Sequence, residues 1–301
     1  MNENLSRSQF NQMETTEKQA LMERLAARYD MAFLGLRTFD RWGQNCTTGV
    51  FERDGREFVF VPGDTVTLGW NHFALGLNPD SREELDYLFQ EWEMEQDPEG
   101  LIRESMAPVR QADIGPMLVG RELEELCWEP VTMNDPRVTA HPDWLKKFRE
   151  FAWSDLDSLT LHKSTRIERT EKGFQIWIYN RTDYDELLAG LEKQGLSLPT
   201  ADEWAYLCGG GCRTLFPWGD GMDYSMHLHH FEDMEEAEDR PYDMEEPNFF
   251  GLSIAYDPYM REIVKAEQFT TCGGDGGCNI CGGLGIFLGF LPCSPHCKPE
   301  V

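Results

Sequence analysis

The spacing of apolar residues predicts a helix near the N-terminus. Apolar side chains recur at every third or fourth position between Ala20 and Phe33, which places them on one face of a helix. We expect this helix to span roughly residues 16–36 and to dock on the main core.

A β-hairpin is predicted next along the chain. Residues 47–51 and 57–61 are rich in β-branched and aromatic side chains, and Asp54-Gly55 between them is a common hairpin turn. Ser81 followed by Glu84 reads as a capping box that opens a helix through about residue 94. We expect residues 95–145 to form long loops with short helices.

The second half of the chain begins with a predicted strand and two predicted helices. Residues 173–179 alternate as in a strand, and residues 182–194 follow as a helix. Thr200 and Glu203 form a second capping box that opens another helix. From Gly209 onward Gly, Pro, Asp and Glu dominate, so regular structure is expected to be sparse.

Charge narrows the classes of partner. The 301 residues include 54 acidic and 27 basic ones, a formal charge of −27. Such a field repels phosphate, so we expect neither nucleic acid nor a membrane as partner, and it fits cationic partners or metal ions. The chain has no run of 18 apolar residues and its N-terminus is polar, which favours a cytoplasmic location.

Cysteine content raises the question of metal or redox chemistry. Nine cysteines are present, and thiols inside the cell are normally reduced, so metal ligation, redox chemistry or simple burial is favoured over disulfides.

Four segments occur in an order typical of one known family. They are Leu-Pro-Thr-Ala-Asp-Glu-Trp at 198–204, Phe-Pro-Trp-Gly-Asp at 216–220, the strand-like run 58–69 ending in Leu-Gly, and Pro-Asn-Phe-Phe-Gly-Leu at 247–252. Together they resemble the formylglycine-generating enzymes, also called sulfatase-modifying factors. The resemblance implies an α+β, C-type-lectin-like fold with much irregular loop. We expect an N-terminal helical extension over residues 1–45 and the family-like domain over 46–301.

The resemblance also implies several functions. Family members include copper- and oxygen-dependent oxidases that convert a sulfatase cysteine to formylglycine, iron-dependent sulfoxide synthases and non-catalytic binding proteins. This chain departs from the pattern after residue 252, where only Glu262 of a conserved Gly-Asn-Val-Trp-Glu-Trp segment remains. Cys272 stands where the family has Arg, and Cys278 falls at the position of the first catalytic cysteine.

The cysteines of the C-terminal tail are consistent with two alternative metal sites. Cys278 and Cys281 are the candidate catalytic pair, because thiolates suit Cu(I). Alternatively, Cys278, Cys281, Cys293 and Cys297 have the two-pair spacing of a structural Zn²⁺ site. A disordered or oxidised tail is the plain alternative.

A histidine pair is a further metal candidate. His227 and His229 would share one face of a strand, and the carboxylates Glu232 and Asp233 follow. A polar surface loop is the alternative.

Three functions are therefore expected from the sequence. The first is a protein- or peptide-binding member of the family with a structural metal in its tail. The second is a copper- and oxygen-dependent oxidase acting on a protein or peptide cysteine. The third is an accessory factor in peptide or thiol modification.

Overall fold

A computed structural model describes residues 5–170, 173–229 and 240–301. Short antiparallel sheets and helices are mixed along the chain, so the α+β class expected from the sequence is confirmed. The chain divides into two compact units. The larger unit contains residues 1–123 together with 197–301, and the smaller unit contains residues 124–196.

The regular elements are numbered in chain order. The strands are β1 (Ala32–Arg41), β2 (Gln44–Arg53), β3 (Arg56–Val61), β4 (Asp64–Leu68), β5 (Arg110–Ile114), β6 (Met117–Gly120), β7 (Trp128–Val131), β8 (Ser158–Leu161), β9 (Thr165–Thr170), β10 (Gly173–Tyr179), β11 (Glu262–Val264) and β12 (Thr270–Cys272). The helices are α1 (Arg7–Gln12), α2 (Thr15–Tyr29), α3 (Pro79–Glu91), α4 (Pro98–Ser105), α5 (Pro136–Thr139), α6 (Pro142–Ala152), α7 (Tyr184–Lys193), α8 (Ala201–Gly209), α9 (Gly276–Cys281) and α10 (Gly285–Gly289), followed by a 3₁₀ turn at Leu291–Cys293.

The N-terminal helix is shorter than its apolar pattern predicts. α2 ends at Tyr29, and Asp30 follows in the left-handed region with φ 54°. From Ala32 the chain forms β1, which pairs with β2 from Ala32 opposite Glu52 to Arg41 opposite Gln44. The prediction of a helix is therefore confirmed up to Tyr29 and wrong beyond it, because strand pairing outweighs the continuing apolar period.

The main sheet of the larger unit has the strand order β1-β2-β3-β6, with every neighbouring pair antiparallel. The predicted Asp54-Gly55 turn joins β2 to β3, and both residues have positive φ. An N-terminal extension ending at residue 45 would stop inside β2, one residue after Gln44, where the hairpin with β1 has already begun.

The N-cap of helix α3 lies three residues before the predicted one. Asn78 accepts a hydrogen bond from the Ser81 backbone N–H at 2.8 Å, and Pro79 occupies the first turn. The prediction of Ser81 as N-cap is wrong, because Asn78-Pro79 supplies a stronger start signal. Ser81 is instead buried inside the helix, where its hydroxyl accepts from the Met222 N–H.

The smaller unit contains a second antiparallel sheet with the order β7-β10-β9-β8. Its core holds side chains of α5, α6, β9 and β10, namely Val138, Phe148, Phe151, Ile167, Ile176 and Ile178. The predicted strand at 173–179 is confirmed as β10, and the predicted helix at 182–194 is confirmed as α7, which Asp183 caps.

A large apolar cluster forms the core of the C-terminal part of the larger unit. Side chains of α3, the segment after α8 and the tail meet in it, including Leu85, Leu88, Phe216, Met222, Phe287, Phe290 and Leu291. Within the described ranges, no helix has the length and apolar character needed to cross a membrane.

Candidate functional site

The signature segment around α8 builds the support for the C-terminal strands. Thr200 and Glu203 form the predicted capping box at the start of α8. Trp204, which is 2% exposed, donates its indole N–H to Glu262 on β11 at 2.7 Å. The other oxygen of Glu262 accepts from the Ala255 backbone N–H at 2.7 Å. These hydrogen bonds tie the signature helix to the β11–β12 pair from which the tail departs.

A glycine-rich turn leads from β12 into the short helix α9. Gly273, Gly274 and Asp275 follow one another with φ of 70°, 78° and 60°. Glycine adopts this left-handed region without a steric cost, whereas aspartate enters it less readily. The turn leads into α9, where Cys278 follows Asp275 by about one helical turn.

All nine cysteines lie within the described ranges. Cys278 and Cys281 are exposed, and the other seven are buried or partly buried. Their spacing of three residues on α9 places them on the same side of the helix. The Cys278 thiol donates to Asp275 Oδ1 at 3.0 Å. The Cys281 sulfur lies 4.0 Å from the Tyr259 hydroxyl. The structure therefore places the two predicted catalytic cysteines, here called the dithiol, three residues apart and exposed on α9.

Charged neighbours set the protonation of Cys278. The hydrogen bond to Asp275 raises the pKa of the Cys278 thiol, and the negative charge of Asp275 adds to this effect. The same hydrogen bond and the Arg261 guanidinium hold the pKa of Asp275 below its ordinary value. Arg261 also pairs with Glu300. Cys278 is therefore held as a thiol, and a soft metal ion that bound there would release its proton.

The other tail cysteines and Cys208 of α8 have a different environment. Cys293 is 2% exposed, and its carbonyl accepts from the Cys208 thiol at 3.8 Å. Burial raises the pKa of both thiols well above the ordinary value. Burial also raises the pKa of Cys272 to about 12 and that of Cys297 to about 11. The raised pKa values keep all four cysteines protonated at neutral pH; Cys208, Cys272 and Cys293 are buried, and Cys297 is partly buried.

The four-cysteine set expected for zinc does not assemble. Cys278 and Cys281 are exposed on α9, whereas Cys293 is buried in the apolar cluster. In the parts of the chain that the structure describes, no group of three or more His, Cys, Asp or Glu side chains is arranged to hold a metal ion. The C-x2-C and C-x3-C spacings thus belong to two separate environments.

His227 and His229 lie in an irregular loop rather than in a strand. His227 is buried, and its ring stacks on Tyr242 with centroids 4.4 Å apart. His229 lies 4.5 Å from the same ring and pairs through Nδ1 with Glu245 at 2.9 Å. Glu232 and Asp233, the carboxylates expected beside them, lie outside the described residues. The described contacts are those of a loop packed around a tyrosine.

Three residues beside the dithiol were not predicted as partners of the cysteines. Asp275 stands three positions before Cys278, a spacing that identifies it once the turn is known to lead into a helix. From the segment immediately before β11, Tyr259 contacts Cys281 and Arg261 pairs with Asp275. No local pattern connects them with α9, because the contact depends on the tertiary fold.

Comparisons of the chain with protein-family models and with curated proteins gave no match.

Proposed function

We propose that this chain is a divergent, formylglycine-generating-enzyme-like oxidoreductase whose working centre is the Cys278/Cys281 dithiol. The observation that carries the proposal is the exposure of these two thiols, one helical turn apart, while the other tail cysteines are buried or partly buried. The signature segments at 198–204, 216–220 and 247–252 support the family resemblance.

The donor set fits Cu(I). Two thiolates are the soft ligands that this ion prefers, and both sulfurs are open to solvent. When bound, copper would supply the electron transfer by which dioxygen is reduced. Cys278 and Cys281 would hold the ion. Asp275 would keep accepting the hydrogen bond from Cys278 until that thiol loses its proton on binding the ion.

The overall reaction balances with an external thiol as reductant. A peptide cysteine loses two electrons as its CH₂–SH group becomes an aldehyde and releases sulfide, with the oxygen atom supplied by water or dioxygen. Two molecules of the external thiol supply two further electrons and become a disulfide. One dioxygen takes up these four electrons, so that water is formed beside the aldehyde and sulfide.

Anaerobic titration with Cu(I) against a chromophoric chelator tests the proposal. We expect one Cu(I) per chain, lost in Cys278→Ser and in Cys281→Ser. Cys127→Ser is the matched control, because Cys127 is a partly exposed cysteine of the smaller unit. Binding that survives both single substitutions would refute the dithiol as the site.

A peptide-binding protein without turnover is the second candidate. The hydrogen bond that keeps Cys278 protonated favours it, because a thiol is a poorer ligand and nucleophile than a thiolate. Oxygen uptake with Cu(I), a cysteine-containing peptide and dithiothreitol separates the two. Uptake above that of Cys278→Ser supports the oxidase, and equal uptake by the two proteins leaves the binding protein.

A further inference from the structure

The short helix α9, which carries the dithiol, depends on contacts with the rest of the larger unit. It has six residues, and the first two are Gly276 and Gly277. Isolated helices of this length are unstable in water, and glycine lowers the stability of a helix further. The spacing of Cys278 and Cys281 on one side of α9 is therefore maintained by the elements that pack against this helix.

Two parts of the larger unit hold α9 by hydrogen bonds. The Asn279 side chain donates an N–H to the Leu288 carbonyl of α10 at 3.0 Å. The Gly276 backbone N–H donates to the Pro258 carbonyl at 2.9 Å. Pro258 begins a stretch, here called the 258–262 segment, that leads into β11.

Tyr259 of the 258–262 segment lies along α9. Gly277 is buried, and a Cβ atom at this position would lie 2.2 Å from Cε1 of the Tyr259 ring. The hydroxyl of the same ring lies 4.0 Å from the Cys281 sulfur. Because Gly277 and Cys281 are four residues apart, they lie on the same face of the helix. The ring therefore reaches from a glycine that leaves room for it to the second cysteine of the dithiol.

The 258–262 segment is held in place by contacts that do not involve α9. The Tyr259 backbone N–H donates to Oδ1 of Asp257 at 2.7 Å. At the end of the segment, Glu262 accepts from the indole N–H of Trp204, which is buried in α8, at 2.7 Å. The segment is thus a fixed support against which a weak helix can dock.

We propose that Tyr259 is a positioning residue for the dithiol: its ring packs against Gly277 and holds α9 so that the two cysteine sulfurs bind one soft ion together. The proposal rests on the dithiol being the working centre, as proposed above, and adds the residue that preorganises it. Tyr259 acts through α9 and is not required to touch the bound ion or the substrate.

Binding of phenylarsine oxide tests the placement of the two sulfurs without copper. The reagent forms two As–S bonds with two thiols and releases one water, so tight binding requires both sulfurs on one arsenic atom. Isothermal titration calorimetry measures the affinity, with Cys278→Ser as the blank. Tyr259→Ala should weaken binding at least tenfold, whereas Tyr259→Phe keeps the ring and should change it less than threefold.

Tyr29→Ala is the matched control for loss of a surface tyrosine. Tyr29 is 44% exposed and Tyr259 is 42% exposed, and both belong to the larger unit. Affinity for phenylarsine oxide should stay within threefold of the wild type in Tyr29→Ala. Circular dichroism and the urea midpoint check that each variant keeps its fold.

Substitution of Gly277 gives a second test, in which the sign of the effect depends on Tyr259. With the tyrosine present, the methyl group of Gly277→Ala displaces the ring, so binding should weaken at least tenfold. In the Tyr259→Ala background the space is free, and alanine favours a helix more than glycine does. The same substitution should then strengthen binding at least twofold.

Three results would each overturn the positioning role of Tyr259. They are equal binding by Tyr259→Ala and the wild type, an equal loss in Tyr29→Ala, and weakening by Gly277→Ala in both backgrounds. Failure of the proposed function is distinguishable from these results. If the chain binds no Cu(I) but shows the expected differences with phenylarsine oxide, the copper function is wrong and the positioning role stands.

Discussion

Replacement of Glu262 with glutamine should change how the stability of the larger unit depends on pH. Burial raises the pKa of Glu262 to about 7, although hydrogen bonds from Trp204 and Ala255 oppose the shift. The folded protein therefore holds this proton more tightly than the unfolded chain does. Stability from the protonated carboxyl is fully present below the ordinary pKa of 4.5 and is lost as pH rises through 7.

The size of the effect follows from the two pKa values. The interval from 4.5 to about 7 corresponds to about 3 kcal/mol of unfolding free energy, most of which is lost between pH 5 and pH 8. Cys272, opposite Glu262 in the strand pair, and the nearby buried Cys208 and Cys293 stay neutral in this window, because burial raises their pKa values. His296 ionises below it, because burial lowers its pKa to about 4.

Urea unfolding followed by tryptophan fluorescence at pH 5, 6, 7 and 8 measures the effect, with separate transitions fitted for the two units. Glutamine cannot accept through both of its terminal atoms, so Glu262→Gln is expected to lose one hydrogen bond at every pH. The test is therefore how the stability difference between variant and wild type changes with pH. Between pH 5 and pH 8 the free energy of unfolding of the variant should rise by about 2.5 kcal/mol relative to that of the wild type.

Glu267→Gln is the matched control, because Glu267 is exposed on the segment that follows β11 and its removal changes the net charge equally. Its stability curve should run parallel to that of the wild type. Parallel curves for Glu262→Gln as well would refute the conclusion that β11 carries a partly buried carboxyl that binds a proton on folding.

Three further substitutions test separate parts of the structure. Asp275→Asn should lower the pKa of Cys278 and speed its alkylation by iodoacetamide at pH 7.5 several-fold relative to Cys127, because tenfold more thiolate forms for each pKa unit. Peptide mass spectrometry measures the ratio of the two alkylation rates, and an unchanged ratio would contradict the prediction. Thr200→Ala should destabilise the larger unit by about 1 kcal/mol through loss of the α8 cap, while Thr200→Ser restores the urea midpoint. Ser81→Ala should cost about 1–3 kcal/mol by leaving the buried Met222 N–H unpaired, and a negligible midpoint shift would show that water replaces the hydroxyl.

Local signals in the sequence predicted the elements that local chemistry controls. The α8 capping box, the Asp54-Gly55 turn and the β10 strand each depend on residues within a few positions of one another, and each prediction is confirmed. The boundary of α2 and the start of α3 were wrong. In the first case pairing of β1 with β2 overrides the helical period, and in the second Asn78-Pro79 precedes the apparent cap at Ser81.

The smaller unit was not predicted as a separate body. Its elements come from residues 124–196, and residues on both sides of this range belong to the larger unit. The strands β7 and β10 that pair within it are more than 40 residues apart along the chain, and no composition shift marks either end. Such long-range pairing leaves no periodic trace in a single sequence.

The cysteine spacing in the tail was open to two interpretations because spacing does not report burial. The tail is ordered by apolar contacts of Phe287, Phe290 and Leu291 and by backbone bonds, including Thr271 with Glu300. Those contacts also bury Cys293, while α9 leaves Cys278 and Cys281 outside the cluster. The exposed dithiol thus contributes little to folding of the tail. A variant with both cysteines replaced by serine should therefore lose Cu(I) binding while the urea midpoint of the larger unit stays unchanged. If a metal ordered the tail, Cu(I) binding and the urea midpoint would fall together.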